Sequence, residues 1–222
     1  MGKAIEKIAI ERGHEIVLKI DIDQTKYDFS NVDVAIDFSD PSAAFQNIYK
    51  CIQNEVPVVS GTTGWLSKYD EIIDFCNENN GAFIYASNFS VGVNLFFNLN
   101  EYLSKMMKNI NGYDIEMEEI HHIHKLDAPS GTAITLAEPI IENSTKDQWK
   151  LEKEKDNDLL INVKREGEVP GTHSVTYKSE VDAIEIKHTA HNRSGFALGA
   201  VVAAEWLVGK EGVFSMKDVL SI

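Results

Sequence analysis

The chain is predicted to be an α/β protein: a doubly wound parallel sheet first, then a second α+β domain with a mixed sheet. Three observations carry that prediction. Over the first ninety residues, short apolar runs alternate with amphipathic helical segments. After Val91 the pattern changes to one long helix and longer strands with partial alternation. Near the end, Phe196 to Val208 is apolar nearly all round, the signature of a buried helix.

Ala4, Ile5, Ile8 and Ala9 recur at helical spacing, and Gly13 is placed to stop that first helix. Ile16 to Ile22 reads as a strand running into Asp21 and Asp23. Val34 to Phe38 is a short apolar strand interrupted by Asp37. Asp40-Pro41 then supplies an N-cap and a proline at the first helical position. The helix behind it buries Ala44, Ile48, Cys51 and Ile52. Pro57-Val58-Val59 is the next strand, a helix carries Ile72, Ile73 and Cys76, and Ala82 to Ala86 is a further strand. Strands this short and apolar, separated by helices, belong to a sheet covered on both faces, a Rossmann-like arrangement.

In the second region, Leu95, Phe96, Leu99, Leu103 and Met106 mark a long helix. A strand follows from Tyr113 to Ile120, and a helix starts at about Ser130. Residues 145 to 158 are polar and charged and read as a loop. Thr172 to Tyr177 and Ala183 to Ala190 are strands, and the last helix is placed to return to the first domain.

At 222 residues the chain is large enough to remove roughly 70–75% of its unfolded surface from water without staples. Its two cysteines, Cys51 and Cys76, fall on apolar helix faces, so buried free thiols in a reducing, cytoplasmic setting are expected. With 21 Lys+Arg against 35 Asp+Glu and no basic cluster, the chain has no footprint for nucleic acid or an anionic membrane. No apolar run is long enough to span a bilayer.

The densest chemistry is Glu118-Glu119-Ile120-His121-His122-Ile123-His124-Lys125-Leu126-Asp127, which places three of the seven histidines within four residues. Ala128-Pro129-Ser130-Gly131-Thr132-Ala133 follows, where Ser130 can cap a helix carrying Ile134, Leu136 and Ala137. Unpaired N–H groups at such a helix start bind carboxylate or phosphate. Lys125 adds a full positive charge, and the imidazoles can move protons near neutral pH. A metal set of His122, His124 and Glu118 is the competing reading, but no further ligand motif completes it, so no metal is expected.

The run Glu119-Ile-His121-His122-x-His124-Lys125-x-Asp127-Ala-Pro-Ser-Gly-Thr-Ala133 closely resembles the signature of the 4-hydroxy-tetrahydrodipicolinate (dihydrodipicolinate) reductase family. Val34-Ala-Ile-Asp-Phe-Ser39, Gly61-Thr-Thr63, Asn88-Phe-Ser-Val-Gly-Val-Asn94, Val169-Pro-Gly-Thr172 and Asn192-Arg193 fall in the family's order. The resemblance implies hydride transfer from a nicotinamide cofactor to the conjugated imine of a cyclic dicarboxylate. By the same resemblance His121 and Lys125 are the proton-donor pair. His122, Ser130, Gly131 and Thr132 would contact substrate carboxylates, with Arg193 a basic residue nearby. Gly61, Thr62 and Thr63 would lie over the nicotinamide ribose, and Ala86, Ser87, Asn88 and Phe89 would flank the nicotinamide. Residues 1–89, completed by 195–222, would form the dinucleotide-binding domain, and 90–194 the substrate-binding and oligomerisation domain of a homotetramer.

The family opens with a strand and a glycine-rich turn, and Met1 and Gly2 match the end of that turn. The expectation is that a first strand is missing from the chain as it stands, leaving Met1 and Gly2 as what remains of the pyrophosphate cradle. Asp21, with Ile22 and Asp23 beside it and no adjacent arginine, favours NADH, with NADPH possible through Lys19 and Lys26. Three other readings stay open at this point. One is a different two-domain dehydrogenase, which has no need of the histidine run. The others are a non-catalytic assembly subunit and a metal hydrolase on the histidines.

Overall fold

The computed structural model describes residues 1–21, 27–152, 154–192 and 194–222. In chain order the first elements are α1 (Gly2–Glu11), β1 (Ala35–Asp37), α2 (Pro41–Gln53), β2 (Val58–Ser60), α3 (Tyr69–Glu78) and β3 (Ala82–Tyr85). Then come α4 (Val91–Met107), β4 (Asp114–His121), α5 (Gly131–Glu142), β5 (Gln148–Lys150), β6 (Asp158–Arg165), β7 (Thr172–Lys178) and β8 (Ala183–Thr189). The chain closes with α6 (Ser194–Leu207), β9 (Gly212–Phe214) and α7 (Met216–Leu220). Two compact units result, one of Met1–Val91 with Ser194–Ile222 and one of Gly92–Arg193. No described helix is long and apolar enough to cross a membrane.

The first unit holds an all-parallel sheet in the order β1-β2-β3-β9. Adjacent residues of β2 point to opposite faces, and each face has its own core. Val58 packs with Ala44, Ile48, Ile52, Ile72 and Cys76 from α2 and α3. Val59 packs with Ile5, Ile84, Ala200 and Leu207, the α1 and α6 side. The sequence pattern explains α2 from its first residue: Asp40 accepts the Ser42 N–H as N-cap, and Pro41 occupies the first turn. Cys51 and Cys76 are buried free thiols, pushed by burial up to about 12 and about 11.

α6 approaches the chain after β3 so closely that a Cβ on Gly199 would lie 1.7 Å from the Phe89 carbonyl oxygen. Only glycine fits there. α1 is tied to α6 by Arg12, whose Nε and Nη2 each donate to Glu205 at 2.7 Å. That contact holds the Glu205 carboxyl at about 2, against the opposing effect of burial.

Three expectations are corrected here. Residues 16–21 form no strand, although Ile16, Leu18 and Ile20 alternate. A strand needs a neighbour, and β1 is the edge of the sheet among the described residues. Val17 and Ile20 are left about half exposed. Asp21 therefore does not end a strand. The polar stretch 145–158 contains β5, paired parallel to β6, and β6 itself lies inside its sheet, between β5 and β4, although no strand is predicted there. Finally α4 turns Val93, Phe96, Asn100, Leu103 and Ser104 inward, leaving Leu95, Leu99 and Met106 exposed. Buried Asn100 donates its Nδ2 to the Leu136 carbonyl of α5 at 2.9 Å, so a polar contact orients the helix.

The second unit holds a mixed sheet in the order β5-β6-β4-β7-β8. β5, β6 and β4 run parallel, while β4, β7 and β8 pair antiparallel. Ile115, Met117, Leu159, Ile161, Val175 and Tyr177 form one apolar face and pack with Phe96 and Leu103 of α4 and Leu136 and Ile140 of α5. The opposite face carries polar groups such as Glu118, which pairs with Lys164 at 2.6 Å.

Candidate active site

Alternation along β4 puts Ile115, Met117, Glu119 and His121 on its buried side. The first two enter the core, and the last two bring charge and an imidazole to the end of the same face. Register completes the group. His173 of β7 is paired with Glu119, and Arg165 of β6 is paired with His121. Paired residues share a face, so the sheet itself gathers Glu119, His121, Arg165 and His173. The His121 and His173 rings meet edge to face at 5.0 Å between centroids.

Glu119 is fully buried, and its neighbours donate to it. Its Oε2 accepts the Ser130 N–H at 2.9 Å, and its Oε1 accepts Arg165 Nη1 at 3.2 Å. Oε1 also lies 3.7 Å from His121 Nδ1. Burial pushes the carboxyl upward, but the contacts from His121 and Ser130 together outweigh it and hold the group at about 2. His173 behaves oppositely: burial, aided by His121, pushes it down to about 4, so it is neutral at pH 7. Neutral His173 suits Ser130, whose Oγ accepts the Ala133 N–H at 3.2 Å and stands 3.1 Å from His173 Nε2. The hydroxyl proton is then free to go to that nitrogen.

Ser130 is thus the N-cap of α5, as its sequence position predicts, and is held from inside by both Glu119 and His173. Gly131 and Thr132 form the first turn of α5, Gly131 exposed and Thr132 half-buried. In the loop before α5, Lys125 Nζ is gripped by both Asp127 carboxylate oxygens at 2.8 and 2.7 Å, which holds Asp127 below the usual carboxylate range. Arg165 anchors this loop through the Lys125 carbonyl (Nε, 3.2 Å) and the Asp127 carbonyl (Nη2, 2.7 Å). His122 is half-buried, its ring 6.0 Å from that of exposed His124. Gly171, at φ +154°, passes so near His121 that an added Cβ would sit 3.2 Å from Nε2. Arg193 lies outside the described residues.

The metal set of His122, His124 and Glu118 is not assembled. Glu118 points to the other face of the sheet from Glu119, and His124 pairs with Glu168 at 3.1 Å. Among the described residues, the side chains whose ligand atoms approach within 4.8 Å of one another are Glu119, His121 and His173. Glu119 in this group already accepts from Arg165 Nη1 and from the Ser130 N–H.

In the first unit the expected nucleotide residues fall at strand ends and at a helix start. Gly61, Thr62 and Thr63 follow β2, and Ala86, Ser87, Asn88 and Phe89 follow β3. Buried Asp37 organises the first of these loops, accepting from Ser60 Oγ, Thr62 Oγ1, Ser39 Oγ and Asn47 Nδ2 at 2.7 to 3.1 Å. Thr62 Oγ1 also accepts the Ser39 N–H, so its hydroxyl serves the loop. Gly61 leaves room for the Phe38 ring, which a Cβ would meet at 2.2 Å. Phe89 is buried, its ring 5.8 Å from Phe38. Met1 and Gly2 start α1 without a side-chain cap, and among the described residues no neighbouring segment lies within 4 Å of where a Gly2 Cβ would be. Asp21 is exposed, and Ile22, Asp23 and Lys26 lie outside the described residues.

Sequence reasoning assigned no role to Glu119, Arg165 or His173. For Glu119 a signal existed: it is a charged residue at an inward position of an alternating strand. Arg165 and His173 become site residues only through sheet register.

The family description "Dihydrodipicolinate reductase, N-terminus" matches residues 1–89, and "Dihydrodipicolinate reductase, C-terminus" matches residues 92–220. A 4-hydroxy-tetrahydrodipicolinate reductase of Christiangramia forsetii is 55% identical over 224 residues, spanning 100% of this chain and 94% of the relative. One from Neisseria meningitidis serogroup B is 33% identical, spanning 98% and 84%. Among solved structures, the dipicolinate-bound dihydrodipicolinate reductase of Paenisporosarcina sp. TG-14 superposes with a TM-score of 0.67 at 26% identity, over 82% of this chain and 71% of that one. With both halves matched and the histidine-lysine run standing at the end of β4, the chain belongs to the dihydrodipicolinate reductase family.

Proposed function

We propose that the protein reduces 4-hydroxy-tetrahydrodipicolinate to tetrahydrodipicolinate with a nicotinamide cofactor. The observation that carries this reading is the second unit's cluster, in which His121, Lys125 and the start of α5 are joined through Glu119 and Arg165. The activity is that of the curated relatives, one of them 55% identical over the whole chain. The first unit suits a dinucleotide: a parallel sheet with ordered loops beyond β2 and β3, and open space at Gly2. The reduced nicotinamide, when bound, supplies the hydride.

The chain's own residues do the rest. Hydride addition places negative charge on the conjugated imine, and a nearby acid must then deliver a proton. His121 and Lys125 are the proposed donors, the lysine fixed by Asp127 until a substrate carboxylate competes for it. Gly131 and Thr132 offer N–H groups of the first turn of α5 to one carboxylate, with Ser130 setting that turn. By resemblance His122 is assigned to the other carboxylate, and Arg193 is a basic residue near the substrate. Gly61, Thr62, Thr63, Ala86, Ser87, Asn88 and Phe89 are assigned to the nicotinamide end, and Met1 and Gly2 to the pyrophosphate.

NADH is the favoured cofactor, because acidic Asp21 has no arginine beside it to take a 2′-phosphate. The assay is loss of 340 nm absorbance, with substrate made in situ by the preceding synthase. His121→Ala and Lys125→Ala are each expected to lower kcat by at least about 100-fold, within the range of general-acid contributions. kcat/KM is expected to be higher for NADH than for NADPH. Unchanged turnover in both variants removes the proposed roles.

A further inference from the structure

We infer that Glu119 is the positioning residue of this site. Its buried carboxylate joins the α5 N-terminus, the Lys125 loop and the His121 imidazole into one frame. The inference rests on the reductase reading above and adds to it a residue that touches neither substrate nor cofactor.

Three contacts support it. One carboxylate oxygen takes the Ser130 N–H, which orients the first turn of α5. The other takes Arg165, whose remaining donors hold the Lys125 and Asp127 carbonyls. That second oxygen also stands 3.7 Å from His121 Nδ1, a buried atom with no hydrogen-bond partner among the described residues. The imidazole therefore has one ring edge turned toward an anion inside the protein. Its opposite nitrogen, Nε2, lies beside Gly171, which has no side chain of its own to cover it. A carboxylate is the group this position requires, because both hydrogen bonds reaching it come from donors. A carboxamide has the same shape but would turn an NH2 toward Ser130 or Arg165.

A role confined to folding would lower stability and leave the chemistry of the folded enzyme intact. Positioning makes a different statement, and a double-mutant cycle with His121 separates the two. Glu119→Gln is measured well below its own Tm, alone and with His121→Ala. Three quantities are read: kcat, affinity for dipicolinate by calorimetry, and affinity for NADH. Glu119→Gln is expected to lower kcat about 10-fold with His121 present and less than about 2-fold with His121→Ala, since the two act as a unit. Dipicolinate affinity is expected to fall about 10-fold, as for loss of a hydrogen bond to a charged group, with NADH affinity unchanged.

Equal kcat losses in both backgrounds, or wild-type dipicolinate affinity in Glu119→Gln, overturn the proposal. Where turnover of His121→Ala is below detection, the dipicolinate arm decides. Should Glu119→Gln not fold, Glu119→Asp is put through the same cycle with the same criteria. Failure of the reductase reading looks different: wild-type protein that does not bind dipicolinate, or His121→Ala with undiminished turnover.

Discussion

Glu119 and His173 face each other across β4 and β7 and respond to burial in opposite ways. Glu119 stays charged because donors surround it, while His173 stays neutral because burial penalises its cation. Each makes stability depend on pH. His173 has a folded pKa of about 4 against an ordinary 6.5, so the unfolded chain takes up a proton that the native protein refuses. Its contribution is complete above pH 6.5 and is lost as pH falls toward 4. Glu119, at about 2 against 4.5, loses its contribution as pH falls from 4.5 toward 2. Each is worth on the order of 3 kcal/mol at full effect. His173→Gln is expected to be less stable at pH 7, because Ser130 changes partner, yet to show a flatter loss between pH 6.5 and 4. Urea unfolding at pH 7, 6 and 5 checks this, and a slope equal to that of wild type sinks it.

At the scale of elements, α6 offers a test in which helix propensity and packing disagree. Ala is about 1 kcal/mol better than Gly inside a helix. At position 199, however, the added Cβ would collide with the Phe89 backbone, which cannot swing aside as a flexible side chain can. Gly199→Ala is therefore expected to destabilise by about 1–3 kcal/mol, the range for overpacking. A variant with a raised Tm would show that the helix moves away at little cost. Elements with strong local signals were legible: α2 through Asp40-Pro41, α5 through Ser130, and β2 and β3 through their apolar runs. β6 escaped because Asp158, Asn162, Lys164 and Arg165 break its apolar pattern, and its place beside β4 depends on a neighbour distant in sequence. The strand expected from Ile16 to Ile22 had the right local pattern, but its described part, residues 16–21, forms no strand and has no neighbour in the sheet.

At the scale of the whole molecule, the second unit covers one face of its sheet with α4 and α5, and the other face carries Glu118 and Lys164. A homotetramer built through that open sheet is the proposed assembly, in keeping with the family resemblance. Light scattering is expected to give about four times the mass of the 24.8 kDa chain, and a monomer would contradict it.

What the sequence determined by itself was the class of fold, most helices, and the run of residues proposed to bear the chemistry. These rest on local pattern: apolar periodicity, caps, and a motif dense enough to be recognised. What only the tertiary structure decided was which groups stand behind that motif. Arg165 and His173 lie 44 and 52 residues beyond His121 in the chain, reading the difference in their numbers. They reach it because β6 and β7 flank β4 in a definite register. Register is set by long-range pairing and by burial of one sheet face, and neither is written in any short stretch of chain.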